Sequence, residues 1–275
     1  MSATPRTEPR TLAPPQRRAA TVTDNARLGA YRLITAAEPQ PPAPPQPGQF
    51  YMLSTAEGWG GESDERPYLP RAFSHARACE GRLSFLLDEV GPGTRRLARL
   101  RAGERLLVLG PLGVGWRPPR DGTRPLLVGG GIGAAPLLCL QDELGPEPPV
   151  LLGFRSAAHA EAASLFSGRP QLATDDGSSG RRGLVTDLLR EELDREAATT
   201  VFACGPPAML EAVRLVCAGR GAPAQLALES GMACGFGACF GCVVPTLGGY
   251  LRLCVDGPVL DADQLESALF PGAGH

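Results

Sequence analysis

Four cysteines near the C-terminal end, spaced Cys234-x4-Cys239-x2-Cys242-x11-Cys254, constrain this chain more than any other feature. A C-x4-C-x2-C run with one distant cysteine is the plant-type ligand spacing of a [2Fe–2S] cluster. A loop that wraps so compact a group brings its backbone amides close to sulfur. Gly235, Gly237 and Gly241 supply the backbone freedom this needs. Cys254, on a following strand, is expected to close the site. The alternative is a four-cysteine zinc site, which usually takes two short C-x-x-C-like pairs, and only one short pair is present.

The other cysteines, Cys79, Cys139, Cys204 and Cys217, are scattered. A disulfide framework belongs to short secreted chains, so clustering within 275 residues reads as a redox centre in a cytoplasmic protein. Arg17-Arg18 does not read as an export signal, because Asp24, Asn25 and Arg27 break the stretch behind it. No run of about 18 apolar residues is present, so neither a transmembrane helix nor a membrane partner is expected. A net charge of −2 leaves no basic footprint for nucleic acid, and 5% aromatic residues offer few stacking platforms.

With 43% hydrophobic and 20% charged residues the chain has material for about two ordinary domains. Residues 1–20, rich in Pro, Arg and Thr, read as a disordered tail. Between residues 21 and 120, short strand candidates such as Phe50-Tyr51-Met52-Leu53 and Leu83-Ser84-Phe85-Leu86-Leu87 alternate with turn signals, the pattern of a sandwich or small barrel. Two loops interrupt them, the proline-rich 39–47 and the glycine-rich 58–65. Over residues 121–222 strands alternate with helices, the signature of a parallel sheet with crossover helices. Residues 223–275 form a small unit around the cysteines.

Further motifs fall inside these regions. Gly129-Gly130-Gly131-Ile132-Gly133 follows the apolar strand Pro125-Leu126-Leu127-Val128, and such a turn lets a backbone approach a pyrophosphate. Alone it also fits a simple tight connection. Arg71-Ala72-Phe73-Ser74 lies on a strand, where the guanidinium and hydroxyl can hold phosphate or flavin, although such residues are often merely solvated. Val90-Gly91-Pro92-Gly93-Thr94 adds a second anion-suited turn. Cys204-Gly205-Pro206 sits at a strand end where open sheets bind ligands, and Cys204 reads either as a nicotinamide contact or as a buried cysteine. Asp175-Asp176-Gly177-Ser178 is a polar turn that is also consistent with a solvated loop.

These elements, in this order, resemble the ferredoxin-reductase superfamily. The segment Glu229-Ser230-Gly231-Met232-Ala233-Cys234, running on to Cys242, is similar to the family of electron-transfer subunits of NAD-dependent dihydroorotate dehydrogenases. Gly183-Leu184-Val185-Thr186 and Cys254-Val255-Asp256-Gly257-Pro258-Val259 read the same way, and the similarity runs from about Ala30 to Leu260. The chain departs from the pattern in its two long loops and in Pro70-Arg71-Ala72, where the family more often has Arg-Pro.

The resemblance implies a β plus α/β fold. An N-terminal flavin-binding antiparallel β-barrel (21–120) precedes a central parallel-sheet nucleotide-binding domain (121–222) and a small C-terminal [2Fe–2S] domain (223–275). It implies FAD held by Arg71, Ala72, Phe73, Ser74, Gly93 and Thr94. NAD(H) would lie near Gly130, Gly131, Ile132, Gly133, Asp175, Cys204, Gly205 and Pro206, with the cluster on Cys234, Cys239, Cys242 and Cys254. No side chain is implied as a bond-making catalyst. Asp175 and Asp176 favour NAD over NADP by repelling a 2′-phosphate, while Arg155 argues the other way. The implied partner is an FMN-containing dihydroorotate dehydrogenase catalytic subunit in a hetero-oligomer serving pyrimidine biosynthesis. A stand-alone reductase, or one serving another redox partner, is the competing expectation, and a redox sensor without turnover is a more distant one.

Overall fold

A computed structural model describes residues 16–38, 44–60 and 67–273. The first unit is an antiparallel sheet of β1 (Gln16–Leu28), β2 (Tyr31–Ala37), β3 (Phe50–Thr55), β4 (Arg71–Ser74), β5 (Arg77–Cys79), β6 (Arg82–Leu87) and, after helix α1 (Pro92–Ala98), β7 (Arg105–Leu112). Its order is β4-β3-β7-β1-β2-β6-β5. Only His75 and Ala76 separate β4 from β5, the two ends of that order, so the sheet must curl on itself as a barrel does. Ala20, Val22, Ile34, Leu53, Phe85 and Val108 fill its interior.

The second unit takes β8 (Arg124–Gly130), α2 (Ala135–Leu144), β9 (Val150–Phe154), α3 (Ala157–Ala160), β10 (Gln171–Thr174), β11 (Arg181–Arg182), α4 (Val185–Arg195), β12 (Thr199–Cys204), α5 (Pro207–Arg220) and β13 (Ala224–Ala227). The third contributes the hairpin β14 (Val243–Thr246) and β15 (Gly249–Arg252), helix α6 (Leu253–Asp256) and β16 (Val259–Asp261). The sheet order β11-β10-β9-β8-β12-β13-β16 is parallel except for β16, which runs antiparallel to β13. The chain builds outward from β8 on one side, then returns to start β12 on the other. The ends of β8 and β12 therefore form the topological switch point at which such sheets bind ligands.

Several expectations change. Residues 16–20, assigned to a disordered tail, open β1 and pair with β7; residues 1–15 lie outside the described residues, as do 39–43 and 61–66 of the two long loops. β13 and β16, beyond the boundary expected before residue 223, join the sheet of the second unit. Cys254 lies on α6 rather than on a strand.

One continuous apolar core runs from Phe50, Met52 and Leu112 of the barrel, through Leu126 and Leu226 of the parallel sheet, to Cys242 and Leu253. The units also meet where Arg77 on β5 donates to Asp142 on α2 at 3.0 Å and to Leu165 O at 2.7 Å. Among the described residues no helix is long and apolar enough to cross a membrane.

Candidate functional site

A cleft of about 570 Å³ opens between the barrel and the parallel sheet, within the range that holds small-molecule ligands. Of the residues expected from sequence, Arg71, Ala72, Phe73, Ser74, Thr94 and Ile132 line it. Arg71 and Ser74 are brought there by β4, where Ser74 pairs with Phe50 and Arg71 with Leu53 of β3. The Arg71 side chain crosses to the first turn of α1, so a Cβ at Gly93 would stand 2.7 Å from Arg71 Nε. Glycine at 93 is thus what allows the two expected flavin motifs to meet. The Thr94 hydroxyl is already engaged: its Oγ1 accepts from Gly91 N–H at 2.9 Å and donates to Gly91 O at 3.1 Å. The same bonds hold the turn in shape.

Gly130 and Gly133 meet Cys204, Gly205 and Pro206 at the switch point, as their strands dictate. A Cβ on Gly130 would collide with Met209 Sδ and stand 3.0 Å from Pro206 Cδ, and one on Gly205 would stand 2.6 Å from Met209 Sδ. The glycines let the two turns pack together and leave their backbones open. Tyr31 reaches the same place from the barrel, its hydroxyl 3.7 Å from where a Gly131 Cβ would be. The Cys204 thiol is buried against Trp116, Ala227 and Val259 and does not line the cleft. Burial, and then the charge of Glu229, push it well above the usual thiol range.

Asp175 is not brought to the glycine turn. It follows β10, two strands from β8, so it lies about 10 Å across the same sheet edge. Asp176 is occupied locally, accepting from Ser178 N–H and Oγ–H at 2.9 and 2.6 Å, which holds its carboxyl below the usual range.

The cleft also takes residues that sequence reasoning did not assign to it, chiefly Glu229, Ser230, Gly231 and Met232. Glu229 is open toward the cleft but has protein on its other sides, and this desolvation raises its carboxyl pKa. Ser230 is 8% exposed and its Oγ has no hydrogen-bond partner in the protein. Ser230 borders the cleft with this hydroxyl buried and orphaned, a polar atom left for a bound cofactor to satisfy. Together with the Arg71–Gly93 crossing, it makes the cleft suited to a flavin.

The four cysteines come together as two pairs. Cys242 Sγ and Cys254 Sγ lie 3.2 Å apart, and Cys234 shares a hydrogen bond with the Cys239 thiol. Among the described residues no three His, Cys, Asp or Glu side chains converge on a single metal ion; two thiol pairs match the needs of two irons. Backbone amides face the sulfurs, Gly241 N–H to Cys239 at 3.4 Å and Cys254 N–H to Cys242 at 3.5 Å. Burial raises the Cys234 thiol, but the amides of Cys239 and Phe236 outweigh it and bring it to about 7. The proton shared with Cys254 brings Cys242 to about 6 and drives Cys254 upward. One lowered thiol in each pair, Cys234 and Cys242, together with the inward amides, fits a [2Fe–2S] cluster. Gly235 and Gly237 take φ +80 and +88 as expected, but the third positive φ belongs to Phe240, at +59, rather than to Gly241.

Comparisons with known proteins agree with this geometry. A family described as the iron-sulfur cluster binding domain of dihydroorotate dehydrogenase B matches residues 229–266. The electron transfer subunit of dihydroorotate dehydrogenase B (NAD(+)) from Clostridium acetobutylicum is 35% identical over 80% of this chain and 86% of that protein. The subunit of the same name from Geobacillus thermodenitrificans is 38% identical over 80% and 86%. Among solved structures, a chain of the NADH-dependent reduced ferredoxin-NADP oxidoreductase superposes with TM-score 0.75 at 26% identity, covering 90% of each chain. A cytochrome P450 reductase from Amycolatopsis gives TM-score 0.60 at 28% identity, covering 76% of this chain and 67% of that one.

Proposed function

This chain belongs to the family of electron-transfer subunits of NAD-dependent dihydroorotate dehydrogenase B, and from that membership we propose its working parts. It carries electrons between NAD(H), FAD, a [2Fe–2S] cluster and a dihydroorotate dehydrogenase catalytic subunit that contains FMN, in pyrimidine biosynthesis. One observation carries the reading. Ser230, Gly231 and Met232 line the flavin-suited cleft, and Cys234, the first clustered thiol, follows two residues later. Two residues span at most about 7 Å, so the two sites are held within a short electron step.

When bound, FAD accepts an electron pair as hydride and releases the electrons singly, as a one-electron cluster requires. The chain's own groups bind and orient. Arg71 and Ser74 hold the flavin from β4, Gly93 and Thr94 shape the turn beside them, and Ser230 offers its unpaired hydroxyl. Gly130, Gly131 and Gly133, with Gly205 and Pro206, would leave room for a dinucleotide backbone, and buried Cys204 would support the turn beside the nicotinamide. Cys234 with Cys239, and Cys242 with Cys254, would hold the two irons of the cluster. Asp175 sets the preference for NAD over NADP. The cytoplasm is the compartment proposed, where thiols stay reduced until they bind metal.

The experiment is anaerobic purification followed by ultraviolet–visible spectroscopy and metal analysis. Flavin bands, with iron and sulfide at about two each per chain, are expected, and NADH should bleach both chromophores. Added catalytic subunit should then couple dihydroorotate oxidation to NADH formation. Zinc in place of iron, with no flavin, rejects the reading. Faster turnover with NADPH than with NADH rejects the role given to Asp175.

A further inference from the structure

We infer that Arg252 is a positioning residue of the cluster site, one that closes the cysteine loop and sets a fixed positive charge against the cluster. The inference rests on the proposed reading of the four cysteines as [2Fe–2S] ligands.

Arg252 ends β15, two residues before Cys254. Its backbone N–H donates to Asp256 Oδ2 at 2.8 Å, which fixes where the side chain starts. Nη1 then donates to Gly237 O at 2.9 Å, midway between Cys234 and Cys239. The guanidinium also lies over the Phe240 ring, 5.0 Å from its centroid, just beyond Cys239. One half-buried side chain therefore ties the loop on both sides of Cys239.

The loop is built to receive it. Gly237 has φ +88, and a Cβ there would stand 2.6 Å from Val255 Cγ2 and 3.2 Å from Arg252 Nη1. Phe240, at φ +59, occupies backbone space that a bulky residue rarely takes. Such strain persists only where the surroundings impose it, and the stacked guanidinium is one such restraint.

The charge has its own consequence. A [2Fe–2S] cluster with four thiolates carries −2 when oxidised and −3 when reduced. One electron enters from the NADH side, and no bond forms or breaks. Arginine stays protonated at any working pH, and a cation at the loop attracts the −3 state more strongly than the −2 state. Net charge and hydrogen bonding are among the factors that set cluster potentials. Arg252 thus favours the reduced cluster.

The test is a potentiometric titration of the holoprotein, followed by the electron paramagnetic resonance signal of the reduced cluster, for the parent, R252Q and R252K. R252Q should lower the ratio of reduced to oxidised cluster about threefold at a fixed potential, a shift of about 28 mV at 59 mV per tenfold. R252K, which keeps the charge, should stay near the parent value. A fully loaded R252Q with the parent potential overturns the inference. Should R252Q not retain iron, R252K decides. A loaded R252K with the parent potential supports the inference, and a loaded R252K whose potential falls as far as expected for R252Q overturns it. Cluster loss from R252K as well as R252Q supports the loop-closing role, since lysine cannot make both contacts. Absence of iron and sulfide from the parent protein would instead refute the cluster reading itself.

Discussion

Replacing Gly235 with alanine tests whether the cysteine loop is seated on the barrel. Gly235 has φ +80, where an L side chain costs about 1–2 kcal/mol. Its Cβ would stand 2.5 Å from Met52 Cγ and 3.0 Å from Leu112 Cδ1. Met52 and Leu112 are each 1% exposed, on β3 and β7, so neither can swing into solvent. Forcing a methyl group into such packing costs a further ~1–3 kcal/mol. The sum, about 2–5 kcal/mol, is a large part of the 5–15 kcal/mol typical of a folded protein. Urea unfolding of the full chain should report the loss, and iron should leave the holoprotein faster.

A double-mutant cycle with Met52→Ala separates the two costs. Shortening Met52 removes the closest collision and opens space beside Leu112, but leaves the unfavourable φ. In the Met52→Ala background, Gly235→Ala should therefore cost only about 1–2 kcal/mol. A loss below about 0.5 kcal/mol in the parent background, inside the range of an ordinary surface substitution, would refute the packing argument. Simple additivity of the two variants would refute it as well.

Ser230→Ala should weaken FAD binding about two- to tenfold, the worth of one hydrogen bond, without destabilising the flavin-free chain; equilibrium titration checks it. Gly130→Ala should separate the β8 and β12 turns and raise the Kd for NADH, and Met209→Ala should partly restore it, since Met209 Sδ is the atom struck; fluorescence quenching reads both. His75, 1% exposed and bonded at Nδ1 to Gln49 O at 3.1 Å, is lowered by burial to about 4. Its unfolded form gains a proton as pH falls through about 6.5 while the folded form does not, so stability drops from pH 6.5 to 4 by up to about 3 kcal/mol. Urea midpoints across that window should fall less steeply for His75→Gln.

The cysteine quartet and the glycine turn after β8 are legible in sequence because each has few competing uses. Four cysteines at that spacing, or four glycines closing an apolar strand, are hard to explain by packing alone. β1 is not legible, because its buried residues at the start are only Ala20 and Val22, and Asp24, Asn25 and Arg27 make the rest look like loop. β16 is three residues long, and its place beside β13 is settled by long-range pairing rather than by local pattern. Ser230 illustrates the same limit. Its neighbours mark a familiar segment, but its facing the cleft depends on where β13 ends relative to the barrel. Sequence also gives no sign that the Thr94 hydroxyl is bonded within its own turn while the residue lines the cleft.

What remains is why the residues proposed here include no acid or base acting on substrate. Phe50 lines the cleft and Met52, two residues along β3, packs under Gly235 of the cysteine loop. Residues two apart on a strand face the same way, about 7 Å from one another. The stretch from Ser230 to Cys234 spans the same gap by a second, independent route. Two backbones, one in a buried strand and one in a tight loop, thus fix the same separation, and a change in either must alter it. Electron transfer asks a protein for distance and field rather than for proton donors. A chain that sets the distance with β3 and the field with Arg252 can leave the bond-making to its cofactors.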